Sequence, residues 1–343
     1  MRRLGRLVVS LVVWLVLLLG TSWLVAAIVA TGLDPQSLRW PRYAVAALAL
    51  GALGFTWRQR SRRAALGLLT GMGLCVVAWS YTFQPSLRRD WSPDLVRTAH
   101  ADVKGSSVTL HDIRNFHYRD TKDWDEAWTS ATYDVRDLVR GWFVIEPFSN
   151  IDGVAHTLVS FEFTGDRFLA ISVEIRRERG EEFSALGAFF RQYELVYVVG
   201  DERDVIQLRS NHRRDDVYLY PIRASHERTV AFFLDMVQRI NSLHERPEFY
   251  NAVTSNCTTN LVRHLEKVSA TDIPYGRSTL LPGYSDELAF SLGLLDTDRS
   301  LAETREHALI NTLALAAQDR EDFSLRIRGR VPTPGPQVEA TAP

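Results

Sequence analysis

The opening of the chain limits its fold more than any other feature: residues Leu7 to Leu33 run without one charge and are mostly Leu, Val, Ile, Ala and Trp. A helix of about 20 apolar residues crosses the hydrocarbon core of a bilayer, so this run is long enough for a span. It also exceeds a secretory h-region of about 7–15 residues, so a signal peptide behind Arg2, Arg3 and Arg6 fits less well. Two more uncharged stretches follow, Tyr43–Trp57 and Ala64–Leu87. The first is short, but its flanking Trp40, Tyr43 and Trp57 are of types favoured at the lipid–water boundary. The expectation is a three-helix transmembrane anchor over residues 1–83, with spans near 7–30, 43–57 and 64–83. The stretch Arg58–Arg63 holds four arginines. By the positive-inside rule it lies in the cytoplasm with the N-terminus of a bacterial inner-membrane protein. Everything after about Pro85 then lies in the periplasm.

The rest of the chain reads as a polar linker over 84–104, one packed domain over 105–330 and a Pro-rich disordered tail over 331–343. A net charge of −1, with no basic stripe interleaved with aromatics, argues against a nucleic-acid partner. His111, Asp112 and His117 lack paired-ligand spacing, and no phosphate-cradling glycine loop is present, so neither a metal nor a cofactor is expected. Alternation of apolar and polar residues predicts strands at His156–Phe163, Phe168–Arg176, Gln192–Val199 and Asp204–Arg209. Helices are predicted at Ser225–Leu243, from Cys257 towards Val268, and at Leu301–Ala317. Strands followed by helices indicate an α+β domain, an antiparallel sheet with packed helices.

Two cysteines occur, and Cys257 alone lies beyond the apolar runs that hold Cys75. A lone thiol in an oxidising compartment points to a reactive group or an intermolecular partner; a buried, inert cysteine is the alternative. Asn256 is a candidate N-cap, which places Cys257 in a first helical turn, where free amides and the helix dipole favour thiolate. Four of the nine histidines, His226, His244, His264 and His307, sit in charged, helix-surface contexts. His156 instead opens a strand. If the hairpin loop has three residues, Thr164 pairs with Phe168 and His156 lies opposite Arg176, with Ser172, Glu174 and Arg176 on its face; a loop of two residues would send Glu174 to the other face. Glu174 is the candidate acceptor for the imidazole N–H.

Five ordered blocks resemble a known family: Ile113–Arg119, Ala155–Phe161, Ile171–Arg176, Tyr193–Tyr197, and Pro247–Asn251 continuing to Asn256–Asn260. Together they look like the Lnb N-terminal periplasmic domain over about residues 105–270. The resemblance implies a papain-like thiol fold in permuted order, with His156 as base and Cys257 as nucleophile; Glu174 as third residue is assigned from the strand face. Asn256, Thr258, Ser172, Arg176, Tyr250 and Asn251 are the expected supporting or substrate-binding residues. It also implies a lipoprotein N-acyltransferase-like activity, with phospholipid and lipoprotein as substrates. The same dyad would serve a cysteine amidase or peptidase acting on peptidoglycan peptides, and a non-catalytic envelope-binding module is a third reading. Oligomeric state is left open.

Overall fold

The computed structural model describes residues 15, 18–28, 39–58, 62–80, 84–148, 151–269, 273–274 and 276–332, which form two compact units. The smaller comprises residues 1–88, 181–194 and 248–252; the larger comprises 89–180, 195–247 and 253–343.

The smaller unit contains helical residues 18–28, helix α1 (Arg39–Arg58), helix α2 (Arg62–Ser80) and the short helix α3 (Ala185–Phe189). Leu24, Ala27, Ile28, Ala46 and Ala49 bury one another, and Trp23 meets Phe190 edge-on at 5.8 Å. The transmembrane anchor expected from hydropathy is overturned: among the described residues, no helix is long and apolar enough to cross a membrane. The uncharged runs and the helices do not coincide. The helix over the second run takes in Arg39, Arg42 and Arg58, and the helix over the third opens on Arg62 and Arg63 and stops at Ser80. Much of the first run lies outside the described residues. The orientation argued from the arginine-rich loop loses its basis with the anchor.

The larger unit is α+β. Its ten strands are β1 (His100–Lys104), β2 (Ser107–Arg114), β3 (His117–Tyr118), β4 (Trp124–Asp125), β5 (Trp128–Asp134), β6 (Leu138–Pro147), β7 (Ala155–Phe163), β8 (Arg167–Arg176), β9 (Glu194–Gly200) and β10 (Tyr218–Pro221). Eight of them form one sheet in the order β1-β2-β9-β8-β7-β6-β10, with β5 also paired to β2. The β1–β2, β2–β5, β6–β7, β7–β8 and β6–β10 pairs are antiparallel, and β2 meets β9 in a single parallel pair.

Helices close both faces of this sheet. Over one face lies α5 (His226–Glu245), capped by the Ser225 hydroxyl and burying Thr229, Phe233, Met236, Val237, Ile240 and Leu243 at helical spacing. Phe233 meets Phe161 and Phe163 edge-on at 5.0 and 5.6 Å, a geometry worth about 0.5–1.5 kcal/mol per pair beyond area burial. On the opposite face Val144, Leu158, Ala170, Val196 and Val198 pack with Val205 and Ile206 of α4 (Glu202–Gln207). Ile310, Ala314, Phe323 and Ile327 from the C-terminal segment complete that layer. The stretch predicted as a fourth strand, Asp204–Arg209, is therefore helical: α4 runs into one π-helical turn, Leu208–Arg213. The helix predicted over Leu301–Ala317 is broken into Leu301–Ala308 and Asn311–Ala316.

Burial on both faces explains why the polar residues of β7 are enclosed. Ser160 donates to Glu202 at 2.5 Å, and Glu202 also holds Arg328. Glu162 accepts from Trp142 Nε1 and from Arg330. The predicted linker is packed too: Trp91 is buried, and its backbone pairs with Glu178. Most of the predicted tail lies outside the described residues.

Candidate active site

The site lies where β7 begins. Its nucleophile candidate opens helix α6 (Cys257–Ser269), whose start the sequence specifies chemically. Asn256 Oδ1 accepts from the Thr259 amide at 2.8 Å, and the Asn256 amide donates to Thr259 Oγ1 at 2.8 Å. This reciprocal cap fixes the first turn and buries Cys257, Thr258, Thr259 and Asn260. Thr258 Oγ1 lies 3.2 Å from Thr157 Oγ1, which ties α6 to β7.

His156 projects from the opposite face of β7, beside Ser172 and Glu174 of β8. The β7–β8 loop has three residues rather than two, and the closing pair is Phe163–Arg167. The register is therefore displaced by two from Thr164–Phe168. Because a two-residue displacement preserves the face, Ser172 and Glu174 remain beside His156. Continuing that register, Glu174 takes the place across from His156 that was expected for Arg176. Arg176 instead donates to the Leu95 and Val96 carbonyls at 2.9 and 2.8 Å and stacks its guanidinium over Trp91 at 4.2 Å. It holds the segment predicted as linker onto the domain.

His156 Nε2 lies 2.7 Å from Ser172 Oγ and 3.2 Å from Glu174 Oε1, and the Ser172 hydroxyl donates to the same Glu174 oxygen at 2.6 Å. The Cys257 thiol lies in the electrostatic reach of this ring, and each group shifts the other's pKa. Thr157 acts on the thiol as well and favours its ionised form.

Two residues that sequence reasoning missed complete the network. Glu146 of β6 pairs across from His156, and Arg209 in the π-turn reaches Glu146 Oε2 at 2.6 Å and Glu174 Oε1 at 2.5 Å. Arg209 and Glu146 are almost fully buried. The sequence signal for them was weak, since reading Asp204–Arg209 as a strand gave Arg209 no defined direction.

The electrostatics follow from this wiring. Burial alone would lower the His156 pKa, but the Glu174 charge and the Cys257 thiol outweigh it and raise it to about 10. Burial would raise the Cys257 pKa; His156, with Thr157, lowers it instead. Burial is likewise overcome at Glu174, where His156 and Arg209 hold the carboxyl well below its ordinary range. Both shifts act towards a thiolate facing an imidazolium, and the thiolate is the nucleophilic form of cysteine.

Of the residues expected to support the site, Asn256, Thr258 and Ser172 are in it. Tyr250 and Asn251 belong to the smaller unit, where the Tyr250 amide donates to the Tyr193 carbonyl and Asn251 Nδ2 to the Phe189 carbonyl. Among the described residues, no group of His, Cys, Asp and Glu could hold a metal ion. An apolar cavity of about 130 Å³ starts at Thr258 and follows α6.

Searches of the curated proteins and of the solved structures found no match. A family model, that of the Lnb N-terminal periplasmic domain, matches residues 124–282. The match takes in β4 to β10, α5 and α6, and so contains His156, Glu174, Arg209 and Cys257. It begins after the Ile113–Arg119 block, which lies outside it. The family description gives this segment a periplasmic, envelope-related setting. Over residues 124–282, a little under half of the chain, the sequence is similar to the Lnb N-terminal periplasmic domain family.

Proposed function

We propose that the larger unit is a cysteine-dependent acyltransferase that carries an acyl chain as a thioester on Cys257. The observation that carries this reading is the hydrogen-bonded group His156–Ser172–Glu174, coupled electrostatically to Cys257 so that the thiol pKa is lowered and the imidazole pKa raised. The Cys257 thiolate attacks the ester carbonyl of a phospholipid; the carbon–sulfur bond forms as the carbon–oxygen bond breaks. The proton on His156 goes to the departing alkoxide. Neutral His156 then takes a proton from an amine, such as a lipoprotein N-terminus, as it attacks the thioester and frees the thiolate. Glu174 and Ser172 keep Nε2 occupied and so hold the ring in place.

Water as acceptor would make the same dyad a peptidoglycan amidase. The apolar cavity beside Thr258 favours a substrate with a hydrocarbon tail over a polar muropeptide. The test is to incubate the purified protein with phospholipid vesicles and an amine-terminated peptide, then weigh protein and peptide by mass spectrometry. Acyl adduct on wild type, absent from Cys257→Ala, and acylated peptide are expected. No adduct, together with muropeptide cleavage, would overturn the proposal in favour of the amidase.

A further inference from the structure

Helix α6 begins at the nucleophile and continues as one wall of the apolar cavity. Thr258, Leu261, Val262, Leu265, Val268 and Ser269 line it, at offsets of 3, 4, 7, 10 and 11 residues that keep to one helical face. Val159 and Phe143, from the sheet face that carries Thr157, form the floor, and Phe232 of α5 stands across from them. The cavity thus begins at Thr258, one residue beyond Cys257, on the side where Thr258 Oγ1 lies 3.2 Å from Thr157 Oγ1.

We propose that this cavity is the subsite for the hydrocarbon chain esterified to Cys257, and that its size selects the chain segment next to the carbonyl. The proposal rests on the thioester reading above. A dry cavity of roughly 150 Å³ accepts a benzene-sized hydrocarbon, so about 130 Å³ accommodates roughly the first six carbons of a chain. Carbons beyond these leave the cavity and contribute little to selection. Val262 and Leu265 face the chain midway along the helix and set the usable length.

The experiment uses the full chain with p-nitrophenyl esters of straight acids from two to twelve carbons, following p-nitrophenolate release. In each acylation the carbon–sulfur bond forms as p-nitrophenolate leaves with the electron pair of the broken carbon–oxygen bond. Each added methylene is expected to raise kcat/KM about fourfold, the equivalent of about 0.8 kcal/mol per buried CH₂. The rise should stop at about six carbons. Val262→Phe should move the plateau to shorter chains and Leu265→Ala to longer ones. A rate independent of chain length, or an identical plateau in both variants, would overturn the subsite.

If no ester reacts, binding of straight-chain 1-alkanols to Cys257→Ala by calorimetry tests the cavity without the chemistry. Affinity that climbs and levels at about six carbons, with the level shifted by Val262→Phe, upholds the cavity while the thioester reading falls. Affinity without chain-length dependence overturns the subsite itself.

Discussion

His156 and His264 both bond to a carboxylate, and both share a neighbourhood with helix α6, yet they carry opposite charge preferences. His264 is buried, with Nδ1 2.5 Å from Asp235 Oδ2 and Nε2 2.8 Å from the Tyr197 hydroxyl. Burial lowers its pKa and Asp235 only partly opposes this, because Lys267 and Arg239 add cationic charge nearby. Lys267 also takes both Asp235 oxygens, at 3.0 and 3.3 Å. At His156 the balance reverses. Two carboxylates, Glu146 and Glu174, share the buried Arg209, and the neighbouring thiol gains from a cation. A carboxylate beside a histidine therefore does not make a site. What distinguishes His156 is a carboxylate whose charge helps to outweigh burial and a titratable sulfur as the ring's other neighbour, where His264 has a tyrosine that burial keeps protonated.

Exchanging the histidines should break this comparison most sharply. His156→Ala is expected to lower acyl transfer to a p-nitrophenyl ester about a thousandfold, in line with the loss of a general acid–base group. His264→Asn should leave that rate nearly intact while lowering stability by about 1–3 kcal/mol, because buried partners lose their hydrogen bonds. Equal losses of rate in the two variants would erase the distinction. Next in size is Arg209→Met, expected to cost about 3–5 kcal/mol in urea unfolding by stranding buried Glu146 and Glu174. A neutral outcome would mean that the carboxylates find another partner.

Glu174→Gln should lower the rate about a hundredfold, less than the ~10⁴ reported for loss of a triad carboxylate, because Ser172 still accepts from Nε2. The same variant carries a pH signature. Glu174 is held well below its usual pKa of about 4.5, so its contribution is full above that value and is lost as pH falls through the folded-state pKa. The melting temperatures of wild type and Glu174→Gln should converge as pH drops from about 6 to about 3. A constant gap would show that the carboxylate adds nothing through its charge. The smallest effect belongs to the cap: Asn256→Ala should cost about 1 kcal/mol, read from the urea midpoint.

Much of this site is legible in the sequence, because it is built from local patterns. The alternation of His156–Phe163 gives the strand, and the odd-numbered loop puts Ser172 and Glu174 on the correct face even with the register two residues off. Asn256 before a helical stripe gives the position of Cys257. The charge network behind His156 is not legible, since Glu146 and Arg209 are 63 residues apart and meet only through a helix read as a strand. His264 was misread for a related reason: a helix with a charged surface also has an inner face, and only packing shows which residues occupy it. Hydropathy failed differently at the N-terminus, where counting uncharged residues said nothing of where each helix begins, and the helices take in the flanking arginines.

The central claim, that His156 makes Cys257 a thiolate, is tested most directly by the thiolate absorbance difference between wild type and Cys257→Ala as pH is raised. Cys75 is common to both proteins and cancels. The midpoint of this difference should lie below the ordinary thiol value of about 8.5 in wild type, and in the His156→Ala background it should rise to that value or above. A wild-type midpoint at or above about 8.5, unchanged by His156→Ala, would contradict it.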